Sequence, residues 1–211
     1  MTITTLSRQK KNPTRVNVCV DGEFVGVIYD ETVFNLGLKV GEDVEESVLN
    51  TAISDSAKAF AKNDCFKYLS KYVKTEKEVK EYLYKKGYHK SEVEFALDFV
   101  NNYGLINDEK YAENYVKSYE KTKSNAQLKA LLKGKGISDE IIDKVVVYDE
   151  DNEEMLAEKL VGKLYKGQDN EISYKDLAKL KRQLLTRGIN YDTINQATSK
   201  FVIKEICGEN E

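Results

Sequence analysis

The sequence predicts a mainly α-helical protein with three tandem three-helix repeats that form an elongated curved array. A small β-hairpin or β-meander segment is expected before the first repeat. Three observations support this fold class. Three helical stretches end with the same residue pattern, capping signals mark the helix starts, and the amino-terminal residues alternate in the manner of β-strands.

The repeat is centred on Gly87, Gly136 and Gly188, which lie 49 and 52 residues apart. Each glycine follows an aliphatic residue at eight and at four positions before it and a cation directly before it, and a bulky apolar residue comes next. A helix commonly ends with a glycine in the left-handed conformation, followed by an apolar residue that packs back on the last turn. The pattern therefore predicts three related helix ends, in tandem units suited to a long or repetitive partner.

The amino-terminal residues predict strands. Residues 16–20 and 23–28 are rich in β-branched side chains and flank Asp21 and Gly22, a typical type I′ hairpin turn. Residues 2–8 are expected to add a third strand, with Pro13 in the turn that follows. A short helix at about 31–36 is expected to end at Gly37.

From about residue 47 the sequence predicts only helices, with starts indicated by capping residues. Capping boxes are predicted at Thr75, Ser91 and Ser124, and simple caps at Ser138 and Ser173. The expected helices span 47–73, 76–86, 92–102, 108–121, 125–134, 139–147, 151–165, 174–187 and 191–206. The expected domains are a β-rich segment at 1–46 and repeats at 47–105, 106–149 and 150–211.

The charge distribution follows the repeat. The 211-residue chain is 41% hydrophobic with a net charge of −3, which favours a folded core and gives no overall sign of a nucleic-acid binder. However, residues 57–90, 119–136 and 159–188 carry +6, +4 and +5, and each of these blocks contains a helix that ends at a repeat glycine. Cations near helix ends also complement the helix dipole, so a purely structural role stays open.

The chain lacks the residues that most classes of enzyme require. The single histidine, His89, excludes a multi-histidine metal site, and the phosphate-binding glycine motifs are absent, so no catalytic residue, cofactor or metal is predicted. The acidic clusters at 108–109 and 149–151 leave a magnesium-dependent nuclease as a remote alternative, although helix capping explains them more simply. Three scattered cysteines and the lack of a signal peptide or an apolar span predict a cytoplasmic protein with reduced thiols.

Two segments resemble signatures of the RecX family of recombination regulators. Residues 104–112, GLINDEKYA, are similar to the family pattern of glycine, two aliphatics, a polar residue, aspartate, two variable positions, an aromatic residue and alanine. Residues 132–137, LKGKGI, resemble the lysine-glycine-isoleucine helix ending of the family. The resemblance covers about 57–206. The chain departs from it at Lys74, where the family tends to have arginine, and at Ser124, where it tends to have glycine.

The resemblance implies a non-enzymatic modulator that binds the RecA filament on single-stranded DNA and reduces its ATPase, strand-exchange and co-protease functions in DNA repair and the SOS response. It implies that the protein associates with no membrane and acts on no small-molecule substrate. Contact with single-stranded DNA is expected through the filament. The motif residues are expected to be structural, with Asp108 starting a helix and Tyr111 and Ala112 packing it against the preceding repeat. These residues are Gly104, Asp108, Tyr111, Ala112, Gly136 and Ile137.

Repeat position and charge together predict a contact surface on the helices that end at the glycines. Its candidates are Lys80, Lys85, Lys86, Lys129, Lys133, Lys135, Lys181, Arg182 and Arg187. Changing several of them to glutamate is expected to abolish filament binding without unfolding the protein. Two alternatives stay open: a helical adaptor that binds only protein, and a direct single-stranded DNA-binding protein.

Overall fold

The amino-terminal residues form a three-stranded antiparallel meander, β1 (Ile3–Arg8), β2 (Arg15–Val20) and β3 (Glu23–Tyr29), in the order β1-β2-β3. The computed structural model describes residues 1–167 and 170–204. Asp21 and Gly22 connect β2 to β3 with φ of 50° and 88°, the positive angles that a type I′ turn requires. The predicted hairpin and the predicted third strand are both confirmed.

The sheet covers the first half of a long helix. Alternate residues of β2, Val16, Val18 and Val20, are buried and form one core with Leu49 and Ala52 of α2 (Glu46–Leu69). A short helix, α1 (Asp30–Asn35), lies between β3 and α2 in sequence and starts one residue before its predicted position. The α2 helix ends four residues before the predicted end at 73.

Two further helices complete the first three-helix group, α3 (Glu76–Lys85) and α4 (Lys90–Asn102). Val79 and Leu83 of α3 are fully buried and meet Ala61, Cys65 and apolar residues of α4 in one core. This group and the sheet make up a compact unit at 1–107, and the remaining described residues make up a second unit.

The second unit contains two three-helix groups. The first consists of α5 (Asp108–Tyr119), α6 (Asn125–Gly134) and α7 (Asp139–Val145). The second consists of α8 (Glu150–Leu164), α9 (Tyr174–Leu185) and α10 (Tyr191–Thr198). Each group has its own apolar core, in which Leu128 and Leu132 of α6 and Leu180 and Leu184 of α9 are buried. The mainly α-helical fold class is confirmed.

The three repeat glycines end their helices in the same way. At Gly87, whose φ is 90°, the glycine N–H donates to the Tyr84 carbonyl at 2.9 Å and the Tyr88 N–H donates to the Leu83 carbonyl at 3.3 Å. These two bonds define the Schellman ending, which satisfies carbonyls that the helix leaves unpaired. The same pair of bonds recurs at Gly136 and Gly188, so the predicted role of the glycines is confirmed.

Four of the five predicted helix caps are confirmed. Capping boxes occur at Thr75 and Ser124, and the Ser138 and Ser173 hydroxyls each accept a hydrogen bond from the backbone N–H three residues later. The prediction at Ser91 is wrong, because α4 begins at Lys90 with His89 as its N-cap residue. Ser91 therefore lies inside the first turn, where its hydroxyl donates to the Glu92 carboxylate at 3.1 Å.

The predicted helix at 191–206 is too long. The observed helix ends at Thr198, and β5 (Val202–Ile203) then pairs in parallel with β4 (Glu171–Ile172). Two consecutive β-branched residues favour an extended backbone, and the Val202 N–H finds the Asn170 carbonyl at 2.8 Å. Residues 205 and 206 of the predicted helix and Cys207 lie outside the described residues, and Cys19 and Cys65 are free thiols.

Among the helices of the described residues, none combines the length and the apolar character needed to cross a membrane.

Candidate cationic interface

The middle helix of each three-helix group positions its cations by burying the apolar pair beside them. In α3, α6 and α9 the residues eight and four positions before the glycine are buried, so the helix is fixed in rotation. Lys80, Lys129 and Lys181 each directly follow the first residue of the buried pair and occupy equivalent positions. Six of the nine candidate cations, those seven positions before and those directly before the glycines, therefore occupy equivalent positions, whereas Lys85, Lys133 and Arg182 do not.

Three of the nine candidates are exposed and uncommitted. Lys80 and Lys85 on α3 and Arg182 on α9 form no hydrogen bond and no ion pair with any described residue. Holding a long cationic side chain at a partner costs conformational entropy, but here no internal contact has to be broken first. These three residues are the best placed of the set to contact an acidic partner.

The second group keeps two of its cations in internal ion pairs. Lys129 contacts Asp143 at 2.6 Å and Lys133 contacts Asp139 at 3.0 Å, so both lysines of α6 are tied to α7. All four side chains are exposed, and exposed pairs of this kind contribute about 0–1 kcal/mol. A partner carboxylate or phosphate can therefore replace these aspartates at low cost.

Lys86 is in a different environment from its neighbour Lys85. Its ammonium lies 3.2 Å from the carboxylate of Asp64, an α2 residue that is only 6% exposed. The same carboxylate accepts a 2.7 Å hydrogen bond from the Tyr88 hydroxyl and lies 3.6 Å from the Arg15 guanidinium of β2. Lys86 therefore joins α3 to α2 and the sheet, and the expected tolerance of glutamate substitutions does not extend to it.

Burial and the contacts around Asp64 set the pKa values of the side chains in this cluster. Burial on its own raises the pKa of Asp64, but the Tyr88 hydrogen bond and the charges of Lys86 and Arg15 outweigh burial, so the pKa lies below its usual value. Burial, and then the bond to Asp64, raise the pKa of Tyr88. Burial raises the pKa of the adjacent Cys65 thiol to about 11. Asp64 is thus a carboxylate at neutral pH and holds its two cations in place.

The last three candidates are partly buried and have internal contacts. The Lys181 ammonium donates to the Asn195 side chain at 2.8 Å, and the Arg187 guanidinium donates to the Gln183 carbonyl at 2.8 Å. Lys135 lies near Tyr115 and opposes the rise in the pKa of that phenol, which burial and the neighbouring tyrosines cause. These cations support their own helix groups first.

The motif residues occupy structural positions. Gly104 ends α4 with a φ of 63°, and Asp108 is the first residue of α5. Ala112 is fully buried with Tyr111 packed beside it in the core of the second group, where Ile137 is also buried after Gly136. The expected packing of Tyr111 and Ala112 on the preceding repeat stays a prediction.

Sequence reasoning missed a face of α2 and α4 on which lysines lie over aromatic rings. The Lys62 ammonium is 4.7 Å from the centre of the Phe99 ring, and Lys58 is 5.9 Å from that of Phe95. Phe99 also packs against Tyr103, which is 68% exposed. The matching four-residue spacing of both pairs was visible in the sequence, but the pairing of α2 with α4 was not.

The acidic residues considered for a metal site have structural contacts instead. The Asp149 carboxylate caps α8 by accepting the Asn152 N–H at 3.2 Å, and Glu109 pairs with Lys144. Within residues 1–167 and 170–204, no three or more histidine, cysteine or acidic side chains are grouped to hold a metal ion.

Lys74, where the chain departs from the RecX pattern, forms an ion pair with Glu78 at 3.9 Å.

Three family models match the chain in order. The regulatory protein RecX N-terminal domain matches residues 1–45, the first three-helix domain of RecX matches 61–99, and the second matches 107–146. Regulatory protein RecX of Clostridium perfringens strain SM101 is 32% identical over 207 residues, covering 96% of this chain and 97% of that protein. The same protein of Clostridium acetobutylicum is 32% identical, covering 99% and 98%.

Two solved structures share the fold. A crystal structure of regulatory protein RecX superposes with a TM-score of 0.67 at 23% identity, over 94% of this chain and 98% of that one. The crystal structure of RecX from Lactobacillus salivarius has a TM-score of 0.56 at 30% identity, over 68% and 96%. With the family models and relatives that span almost its whole length, the chain belongs to the RecX family of regulatory proteins.

Proposed function

We propose that this protein is a non-enzymatic, cytoplasmic regulator that binds the RecA filament on single-stranded DNA and lowers its ATPase, strand-exchange and co-protease activities. In this proposal the repeats at 47–105, 106–149 and 150–211 contact successive parts of the filament. The observation that carries it is the set of exposed, uncommitted cations Lys80, Lys85 and Arg182 on equivalent helices of a RecX-family chain.

The arrangement suits a repetitive acidic partner for a physical reason. Cations carried by more than one helix group can each meet an anion of a regular polymer, and linked contacts of this kind reinforce one another. The exposed ion pairs of Lys129 and Lys133 can open at low cost and add to the contact. Binding of this type weakens as salt increases.

The test is the single-stranded-DNA-dependent ATPase of the cognate RecA, titrated with this protein from well below one molecule per RecA protomer up to equality. Inhibition far below equality is expected for a regulator that acts on whole filaments. Electron microscopy verifies that filaments are present in the same samples. Unchanged ATPase at equality, with filaments present, contradicts the proposal and leaves the protein-binding adaptor.

Direct contact with single-stranded DNA is a second candidate, because of the lysine-aromatic face of α2 and α4. Aromatic rings flanked by cations bind unpaired bases by stacking and phosphates by charge. On this alternative, the isolated protein binds a labelled oligonucleotide without RecA, and Phe95→Ala with Tyr103→Ala weakens binding. Fluorescence anisotropy that stays flat up to high micromolar protein rules out this candidate.

A further inference from the structure

A groove of about 620 Å³ lies between α1 and the first turns of α2, and none of the nine candidate cations lines it. One side is formed by Tyr29, before α1, and by Leu36, after it. The other side is one face of α2, with Val48, Thr51, Ala52 and Asp55 at helical spacing. The groove therefore belongs to the β-rich amino-terminal segment, which the proposed function does not use.

The end wall of the groove is held by several contacts. The Tyr29 ring lies 4.4 Å from that of Phe60, and the Tyr29 hydroxyl accepts a 2.8 Å hydrogen bond from Asn63. The Arg15 guanidinium lies 4.0 Å from the centre of the Phe60 ring. Because β3 and α2 are also joined through a shared core, the groove is formed before a ligand binds, which lowers the entropic cost of binding.

Apolar side chains remain exposed along this groove. Leu36 and Val48, one on each side, are 42% and 39% exposed. Covering such side chains is favourable at roughly 25 cal/mol per Å² of apolar surface. A ligand with apolar side chains of its own therefore gains binding energy from this site.

The surroundings of the groove are acidic. Residues 16–56 contain nine acidic residues and one base, Lys39, whose ammonium already pairs with Glu42 at 3.3 Å. The Glu45 carboxylate accepts the hydroxyl of Ser47, a residue of the groove wall, and so lies at its edge. Asp55 lines the groove and makes no ion pair within the described residues. Of the nearby cations, Arg15 already contacts Asp64 and the Phe60 ring, so the carboxylates of Asp55 and Glu45 favour a ligand that carries positive charge.

We propose that this groove binds a cationic amphipathic segment of another protein. An aliphatic or aromatic side chain of that segment lies between Leu36 and Val48, and its lysines or arginines face Asp55 and Glu45. The apolar walls supply affinity and the carboxylates supply selection for positive charge. The inference does not depend on the proposed function, because it uses neither the cationic helices nor RecA.

The test uses the full-length chain and a synthetic amphipathic peptide, LKKLLKKLLKKL, with the acidic peptide LEELLEELLEEL as the comparison. Amide chemical shifts of the labelled protein are followed during titration with each peptide. The cationic peptide is expected to shift resonances along 29–36 and 47–56, and the acidic peptide to shift none. Asp55→Lys is expected to weaken the binding about tenfold, since it replaces attraction with repulsion.

Asp98→Lys is the matched control, because Asp98 is an exposed acid on α4 that undergoes the same charge change outside the groove. It is expected to leave the affinity within about twofold, as rim charges far from a contact do. Thr51→Trp, which fills the groove without changing charge, is expected to abolish the localised shifts. The proposal is overturned if the cationic peptide does not bind, or if it shifts resonances over the whole acidic surface. It is also overturned if Asp55→Lys and Asp98→Lys weaken binding equally.

Discussion

Asp64 is a buried carboxylate that connects three elements of the amino-terminal unit. Its contacts with Tyr88, Lys86 and Arg15 join α2 to the end of α3 and to β2. A buried carboxylate destabilises the folded state unless oppositely charged or hydrogen-bonding partners surround it. Removing one partner of such a pair leaves an uncompensated charge. The cluster thus gives two cations a structural role, whereas Lys80, Lys85 and Arg182 pair with no described residue.

Asp64→Asn is expected to lower the free energy of unfolding by about 3 kcal/mol at pH 7, because Arg15 and Lys86 lose their carboxylate. The folded-state pKa of Asp64 lies below its unfolded value of about 3.9, so the charge-linked stability is complete above that value and disappears as the pH falls through the folded pKa. Urea unfolding of both proteins should show the same difference in free energy of unfolding at pH 7 and pH 5. At pH 3 this difference should be smaller. A gap at pH 3 as large as at pH 7 contradicts this role.

Lys85 and Lys86 provide a matched pair of neighbours with different surroundings. Lys86→Glu places a second carboxylate against Asp64 and is expected to destabilise the protein by about 2 kcal/mol, a value kept low because Lys86 is partly exposed. Lys85→Glu makes the same charge change on the surface and is expected to stay within about 0.5 kcal/mol of the parent. Thermal and urea unfolding of the two variants distinguish them, and equal stabilities count against the cluster.

The sequence could identify nine cations by repeat position but could not sort them. Lys85 and Lys86 are adjacent and have the same chemistry, and only the position of Asp64 on the facing helix separates their roles. Asp64 itself occupies a buried position of α2 where the hydrophobic pattern predicts an apolar residue. Pairing across elements that are far apart in sequence decided both assignments.

At the scale of elements, Ser124 joins two helix groups. Its hydroxyl accepts the Gln127 N–H at 3.2 Å as the cap of α6 and donates to the Arg187 carbonyl at 2.6 Å at the end of α9. A side chain at Gly188 would meet this same site, since an added Cβ would lie 2.7 Å from the Ala126 Cβ. Here the glycine is required for close approach as well as for its φ of 77°.

Ser124→Ala is expected to lower stability by about 2 kcal/mol, roughly 1 from the helix cap and 1 from the lost hydrogen bond to Arg187. Ser138→Ala is the control, because Ser138 caps α7 by one bond to the Ile141 N–H and is exposed. Its expected cost is about 1 kcal/mol. Chemical denaturation of both variants measures the difference, and equal losses would mean that the link between α6 and α9 contributes nothing.

The elements that sequence reasoning placed correctly have local causes. Each of these elements depends on residues within a few positions of one another. They are the helix caps at Thr75 and Ser124, the Asp21-Gly22 turn and the helix ends at the repeat glycines. The errors have distant causes. The helix predicted at 191–206 is too long because Val202 pairs with Glu171, which lies 31 residues earlier in the sequence, and no local pattern could indicate that pairing.

For the whole molecule, the distribution of charge separates two kinds of surface. Residues 16–56 carry nine acids against one base, while residues 1–15 carry four cations and no acid, and further exposed cations occur on helices of the repeats. A net charge of −3 hides this difference. On the two proposals, a polyanionic filament is attracted by the repeats and a cationic protein segment by the groove.

The three uncommitted cations are expected to act together in filament binding. The triple variant Lys80→Glu, Lys85→Glu, Arg182→Glu is expected to raise the concentration needed for half-inhibition of RecA ATPase by about tenfold or more. Three exposed ionic contacts of about 0.5–1 kcal/mol each account for a change of that size. Unfolding temperatures should stay close to the parent, since none of the three residues pairs within the described residues.

The control carries the same number of charge reversals at other exposed lysines, Lys117→Glu, Lys121→Glu and Lys159→Glu. If inhibition depends only on net charge, both triple variants lose it equally, and the assigned surface is wrong. If position decides, the control inhibits nearly as well as the parent at 0.15 M salt, where charges more than about 8 Å apart are largely screened. The difference between the two variants should then diminish as salt is raised, because the contacts they disrupt are ionic.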